Sequence, residues 1–153
     1  MTMLGKSGRW MLLVLALSAA SVAHAKDDDD KQKPWKGKAT GEVIADDDGI
    51  VAIVFTGEAS QLGRFRAEGG HLFDNNPTKF EGVAMFTAAN GDAIEVRYSG
   101  RLDFERLPFK FEGKLSILGG TGRFSDASGK AEMSGRDFGD GTFEFKFEGK
   151  IAR

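Results

Sequence analysis

The sequence predicts an all-β fold, a closed eight-stranded antiparallel β-barrel preceded by a signal peptide, with a two-sheet β-sandwich as the alternative. Three observations predict the barrel. Apolar and polar residues alternate with period two along most of the chain from residue 37 onward, so each strand has one face to bury. No stretch of that region repeats apolar residues at the i, i+3, i+4, i+7 spacing of an amphipathic helix. Turn dipeptides such as Asp48-Gly49, Asn90-Gly91 and Asp140-Gly141 separate the alternating runs, and each supplies the positive φ of a tight hairpin. An open sheet of this size would expose two edges. Closure removes both and gives the apolar faces a common interior.

The chain divides into three parts. Residues 1–25 read as a secretory signal. Lys6 and Arg9 give a positive start, Trp10 to Ala23 an apolar run, and Ala23-His24-Ala25 small residues at the cleavage site. The apolar run is shorter than the roughly 20 residues that span a bilayer. The expected location is therefore secreted or periplasmic, with no membrane span once the signal is removed. Residues 26–35 read as a solvated linker. Its Lys26-Asp-Asp-Asp-Asp-Lys31 block is self-repelling and resembles the acidic cleavage sequence of purification tags. Residues 36–153 read as the single barrel domain. There is no cysteine, so this domain must stand on core burial without disulfides.

The strands follow in order. Gly37 to Asp46 places Ala39, Gly41, Val43 and Ala45 on one face. Ile50 to Ala59 is the second strand and Phe65 to Phe73 the third. Asp74-Asn75-Asn76-Pro77 turns into a fourth strand over Thr78 to Ala88. The fifth, Ala93 to Phe104, carries Ile94, Val96, Tyr98, Leu102 and Phe104 inward, with Glu95, Arg97 and Arg101 outward. Pro108 opens the sixth, where a strand tolerates a missing N–H. The seventh carries Ala131, Met133 and Gly135, and the eighth Phe143, Phe145, Phe147 and Ile151.

Internal repetition supports one architecture. Phe109-Lys-Phe-Glu-Gly-Lys-Leu115 recurs as Phe145-Lys-Phe-Glu-Gly-Lys-Ile151, and Lys79-Phe-Glu-Gly82 is a shorter copy. In each, a glycine follows an inward phenylalanine on the same face, the pattern of a strand kink covered by a neighbouring ring. Gly119-Gly-Thr-Gly-Arg-Phe124, closing at Ala127-Ser-Gly129, is echoed by Leu62-Gly-Arg-Phe65. A phosphate-cradling loop would need a helix to follow, and Ser125 to Gly129 is too short and polar for one. The expected role is a tight corner whose Phe124 plugs one end of the barrel.

These residues, with Thr87-Ala-Ala-Asn-Gly-Asp92, resemble the allene oxide cyclase-like, or dirigent-like, barrel superfamily, and in particular its small secreted bacterial members. The resemblance spans most of 37–153 and implies an eight-stranded antiparallel barrel. Plant members act on hydrophobic oxylipin or phenolic substrates, often as trimers. Their catalytic residues match no positions here, and the small bacterial members generally have no assigned activity.

Candidate site residues are few. Beyond the signal the chain has one histidine, His71, and no cysteine, which excludes His/Cys metal clusters and a cysteine nucleophile. It is a polar handle at the cavity mouth if the third strand stays in phase from Phe65, and a surface residue if Gly69-Gly70 forms a bulge. Tyr98 is the one evident inward residue with a polar tip. Arg64 and Arg123 precede the plugging rings and are candidates for an anionic ligand or for carboxylate ties across the barrel end. Glu58 and Glu68 lie near the repeat loop. Asp46 to Asp48, and Asp137 with Asp140, lack the spacing of a calcium loop and read as solvated turn charges. No cofactor, metal or catalytic residue is expected, and the weakly acidic chain has no electrostatic basis for binding nucleic acid.

The favoured function is a non-catalytic exported barrel that binds a small apolar ligand or a protein partner. The alternatives are a cyclase- or isomerase-like enzyme on a hydrophobic substrate and a small outer-membrane barrel, the latter short of girdle aromatics. The phenylalanine-rich lining favours a filled interior. Ile50, Ala52, Val54, Val83 and Met85 fall on outward faces, an apolar patch consistent with a homo-oligomer contact.

Overall fold

The computed structural model describes residues 32–74 and 78–153. The signal peptide expected over 1–25 and the acidic block lie outside them. The described residues form β1 (Lys33–Asp47), β2 (Ile50–Ala59), β3 (Gly63–Phe73), β4 (Lys79–Ala88), β5 (Ala93–Asp103), β6 (Phe109–Gly120), β7 (Ser128–Asp137) and β8 (Thr142–Ala152), with a 3₁₀ turn over Gly122–Phe124. Every neighbour in sequence is an antiparallel neighbour in space, and β8 returns to β1 to close the barrel. The sandwich alternative is excluded, because no edge remains.

β1 begins at Lys33, so the last three residues assigned to the linker belong to the barrel. Trp35 explains the early start. It is fully buried and packs on Phe147 at 4.8 Å between ring centroids, which makes the segment worth ordering.

The inward parity of β2, β3 and β4 follows the alternation. Val51, Ile53, Phe55, Phe65, Ala67, Ala84 and Phe86 are all buried. Gly69-Gly70 forms no bulge, since pairing on both sides of β3 runs without a register shift. Two irregularities occur elsewhere. Ile44 is an extra residue in β1, between the pairs Val43↔Ile53 and Ala45↔Ala52. Leu118 is an extra residue in β6, between Glu95↔Gly119 and Val96↔Ile117. The first reverses the phase expected for Ala45, which is exposed. Asp46 instead pairs with the inward Val51 and so shares its face.

The two barrel ends are built differently. At one end lie the β2–β3, β4–β5 and β6–β7 connections together with Lys33 and Arg153. Phe124 and Leu62 are buried there, as the plug reading required. The Gly119–Phe124 corner is held by the β4–β5 turn: Thr121 Oγ1 accepts from the Ala93 N–H at 3.0 Å. Gly122 has φ +56°, and a Cβ on it would collide with the Asp92 carboxylate, so a side chain there would be strained and would displace that carboxylate. Beneath the plug, Phe65 and Phe86 stack at 5.0 Å and Phe55 meets Phe86 edge-on at 5.2 Å.

Glycines do support the tight curvature, with rings laid over them. A Cβ on Gly37 would lie 2.8 Å from Phe147 Cζ, and one on Gly100 would lie 2.6 Å from Phe80 Cζ. Each ring belongs to the residue paired across the strand. The covered glycines are thus cross-strand partners of the phenylalanines, whereas Gly82, Gly113 and Gly149 of the repeat lie nearest to backbone.

The outer faces of β6, β7 and β8 carry Lys110, Glu112, Lys114, Glu132, Arg136, Glu144, Lys146 and Glu148 in cross-strand rows. Such a surface opposes lipid contact, because charge on the lipid side of a barrel is costly. Among the described residues no helix is long and apolar enough to cross a membrane.

Candidate functional site

The opposite end is open. It is formed by the β1–β2, β5–β6 and β7–β8 connections together with the end of β3 and the start of β4. A cavity of about 280 Å³ descends from this mouth into the barrel. Its walls are mainly rings, including Phe55, Phe73, Phe80, Phe111, Phe143 and Phe145. The interior is therefore filled at the plugged end and hollow at the mouth, which corrects the expectation of a filled barrel. The reason is geometric. Phe124 enters along the barrel axis at the plugged end, and among the described residues no side chain is placed in that way at the mouth.

Two polar side chains meet within this apolar wall. β3 delivers His71 and β5 delivers Tyr98, both opposite Gly82 or beside it in the β4 register. His71 Nδ1 and Tyr98 Oη are 2.9 Å apart. The phenol is 7% exposed, and burial pushes its pKa up, so it keeps its proton. Burial also pulls His71 down to about 4, with Asp46 working against the shift through its charge. At neutral pH the pair is a neutral hydrogen bond. In the Nε2–H tautomer Tyr98 donates to Nδ1; in the Nδ1–H tautomer its oxygen accepts. Phe73 and Phe80 flank the imidazole at 5.3 and 5.4 Å between centroids.

His71 and Tyr98 are thus brought together, as inward candidates should be. Arg64 and Arg123 are not part of this site. Arg64 starts β3 at the plugged end and His71 lies near its other end, seven residues on, a separation of roughly 23 Å at strand rise. The two arginines make the carboxylate ties considered for them. Arg64 Nε lies 3.3 Å from Glu58 Oε1 in an exposed pair. Arg123 Nε lies 3.7 Å from Asp92 Oδ2, and its guanidinium sits 4.7 Å from the centre of the Phe124 ring. Glu58 is absorbed by that pair, and Glu68 faces outward beside Met85.

Sequence reasoning missed Asp46 as a cavity residue. Asp46 lines the cavity because of the Ile44 bulge. The adjacent apolar pair Val43-Ile44 was the available signal, since it breaks the alternation at the bulge. Phe104, expected inside β5, lies beyond its end, 47% exposed at the rim against Phe109. Asp137 also lines the mouth. Its Oδ1 accepts from the Gly139 N–H at 2.8 Å, and Asp140 Oδ1 accepts from the Thr142 N–H and hydroxyl. These aspartates serve their own turns.

Glu95 departs from the outward-and-solvated expectation. It points away from the barrel interior yet is 5% exposed, with Oε1 lacking a hydrogen-bond partner. Burial raises its pKa.

Charge is unevenly divided between the two ends. The mouth segments 44–50, 71–74, 78–79, 102–110 and 136–143 hold eight carboxylates against four basic side chains, Lys79, Arg106, Lys110 and Arg136. The plugged-end segments 33–37, 58–64, 88–93, 119–130 and 150–153 hold seven basic side chains against three carboxylates, Glu58, Asp92 and Asp126. The weak overall charge conceals an acidic mouth. Compared with known proteins, the chain matches no family model, no curated protein and no solved structure.

Proposed function

We propose that this protein is an exported, non-catalytic binding barrel that takes a small, largely apolar molecule into its mouth cavity. One observation carries the reading: an aromatic-walled cavity of about 280 Å³ contains a hydrogen-bonded polar pair, His71 with Tyr98. That composition, apolar walls with a few convergent polar groups, is typical of ligand pockets, and the volume falls just below their usual range of roughly 300–1,000 Å³. The ligand is therefore small. Membership of the allene oxide cyclase-like superfamily is part of the same proposal, supported by the barrel and by the glycine-rich corner at Gly119–Phe124.

The enzyme reading draws on the same pair, since a buried tyrosine and histidine can exchange protons with a substrate. The low pKa of His71 counts against it, because a general base works best when its pKa lies near the operating pH. The outer face of β2 to β4 supports a contact with a second copy. Ile50, Ala52, Val54, Val83 and Met85 are adjacent in register, and Leu72 extends the patch. Sedimentation of a monomer at high concentration would overturn that contact.

The binding reading is tested by fluorescence titration with N-phenyl-1-naphthylamine, a neutral apolar dye that brightens on leaving water. Saturable one-to-one binding is expected. Val51→Phe, which places a ring in the cavity wall, should weaken it by about tenfold or more, or 1.4 kcal/mol. Dye binding that is absent, or indifferent to Val51→Phe in a folded variant, would refute the reading.

A further inference from the structure

We infer that the cavity selects amphiphiles with a protonated amine head over those with a carboxylate head. The inference rests on the binding reading above and specifies the chemistry of its ligand. An apolar tail fills the ring-lined interior, which leaves the head at the mouth. Among the described residues, Asp46 and Asp137 are the carboxylates that line the cavity there, and no lysine or arginine lines it. The imidazole in the wall is neutral at pH 7, so it adds no positive charge. The Ile44 bulge, by turning Asp46 onto the inner face, brings a carboxylate to a position that strict alternation would give to a neutral residue.

Two further features favour a cation. The connections surrounding the mouth are acidic while the far end is basic, so the field along the barrel axis draws positive charge toward the opening. Phe73, Phe104 and Phe143 line the mouth region with π-systems that attract an ammonium group. A fatty carboxylate would enter past the same rim and meet Asp46 and Asp137 with no base lining the cavity to offset them.

The test uses three probes that share one body: 4-phenylbutylamine, 4-phenylbutan-1-ol and 4-phenylbutanoate. Calorimetric titration of the full chain at neutral pH should rank them amine, alcohol, acid. The amine should exceed the acid by about tenfold, the sum of a few partly exposed charge contacts of each sign. Asp46→Asn with Asp137→Asn should close most of that gap. Asparagine at 137 retains the oxygen that accepts from Gly139, so the turn is preserved. If the double variant fails to fold, raising salt on the native chain provides the second measurement, and the gap should narrow as screening grows.

Equal affinities, or an acid that binds tightest, would overturn the head preference and leave the cavity reading standing. Failure of all three probes to bind would refute both. A gap unchanged by the double variant in its folded form, or by salt, would also overturn the assignment to these carboxylates.

Discussion

Replacing His71 by glutamine should flatten the acid side of the stability curve. In the folded barrel the imidazole titrates near 4, because burial among Phe73, Phe80 and Tyr98 penalises its charged form. In the unfolded chain it returns to its ordinary value of 6.5. Between those values the unfolded state holds the extra proton, so stability falls as pH falls. The contribution is complete above the unfolded pKa and is lost as pH drops through the folded one. A gap of about 2.5 units at 1.36 kcal/mol each is about 3 kcal/mol, and partial solvent access to the ring lowers that to about 2–3 kcal/mol. Urea unfolding followed by far-UV circular dichroism, from about pH 7.5 to about pH 4, gives the curve for both chains. The carboxylates common to both cancel in the difference. Any fixed cost of losing the Tyr98 contact shifts the variant uniformly without altering its slope. Curves that stay parallel to within about 0.5 kcal/mol would refute the burial of His71 and with it the inward phase of β3. Asp46→Asn should shift the loss to still lower pH, because Asp46 is the charge that now holds the histidine up.

Two other substitutions test the frame around the site. Gly100→Ala should destabilise the barrel by about 1–3 kcal/mol through overpacking, where an unobstructed strand would gain about 0.5–1 kcal/mol from the same change. The new Cβ would lie 2.6 Å from Phe80 Cζ and 2.6 Å from the Glu112 carbonyl oxygen, so a thermal melt showing stabilisation would contradict the ring-over-glycine packing. Arg64→Ala should leave both stability, within about 0.5 kcal/mol, and dye affinity unchanged, since an exposed ion pair contributes little. A loss of dye binding in that variant would mean that the plugged end takes part in recognition.

The architecture was legible because period-two alternation and hairpin dipeptides both act locally, and closure follows from the need to hide edges. Phe124 as a plug was legible for a similar reason: glycines before a lone ring permit only a tight corner. The β1 start was not, because Trp35 stands among Lys33, Pro34 and Lys36 ahead of the alternating run, and its burial depends on Phe147 from the far end of the chain. His71 and Tyr98 could each be assigned an inward face. That they touch depends on the register of β3 and β5 against β4, which no local pattern encodes. Asp46 was hidden by a single extra residue, since one bulge exchanges the two faces of a strand beyond it. The charge division between the ends was invisible because each end gathers segments scattered through the whole sequence.

The pairing of Lys33 with Ile151 across the β1–β8 seam has a practical consequence. Both ends of the barrel chain depart from the plugged side, on the far side of the domain from the cavity. A tether, affinity tag or fusion partner joined before β1 or after β8 would therefore orient the molecule with its opening outward. A sensor surface loaded through either end presents every copy with the same heading and an unobstructed entrance. Attachment through a turn such as Asp48-Gly49 would do the reverse, pressing the entrance against the support.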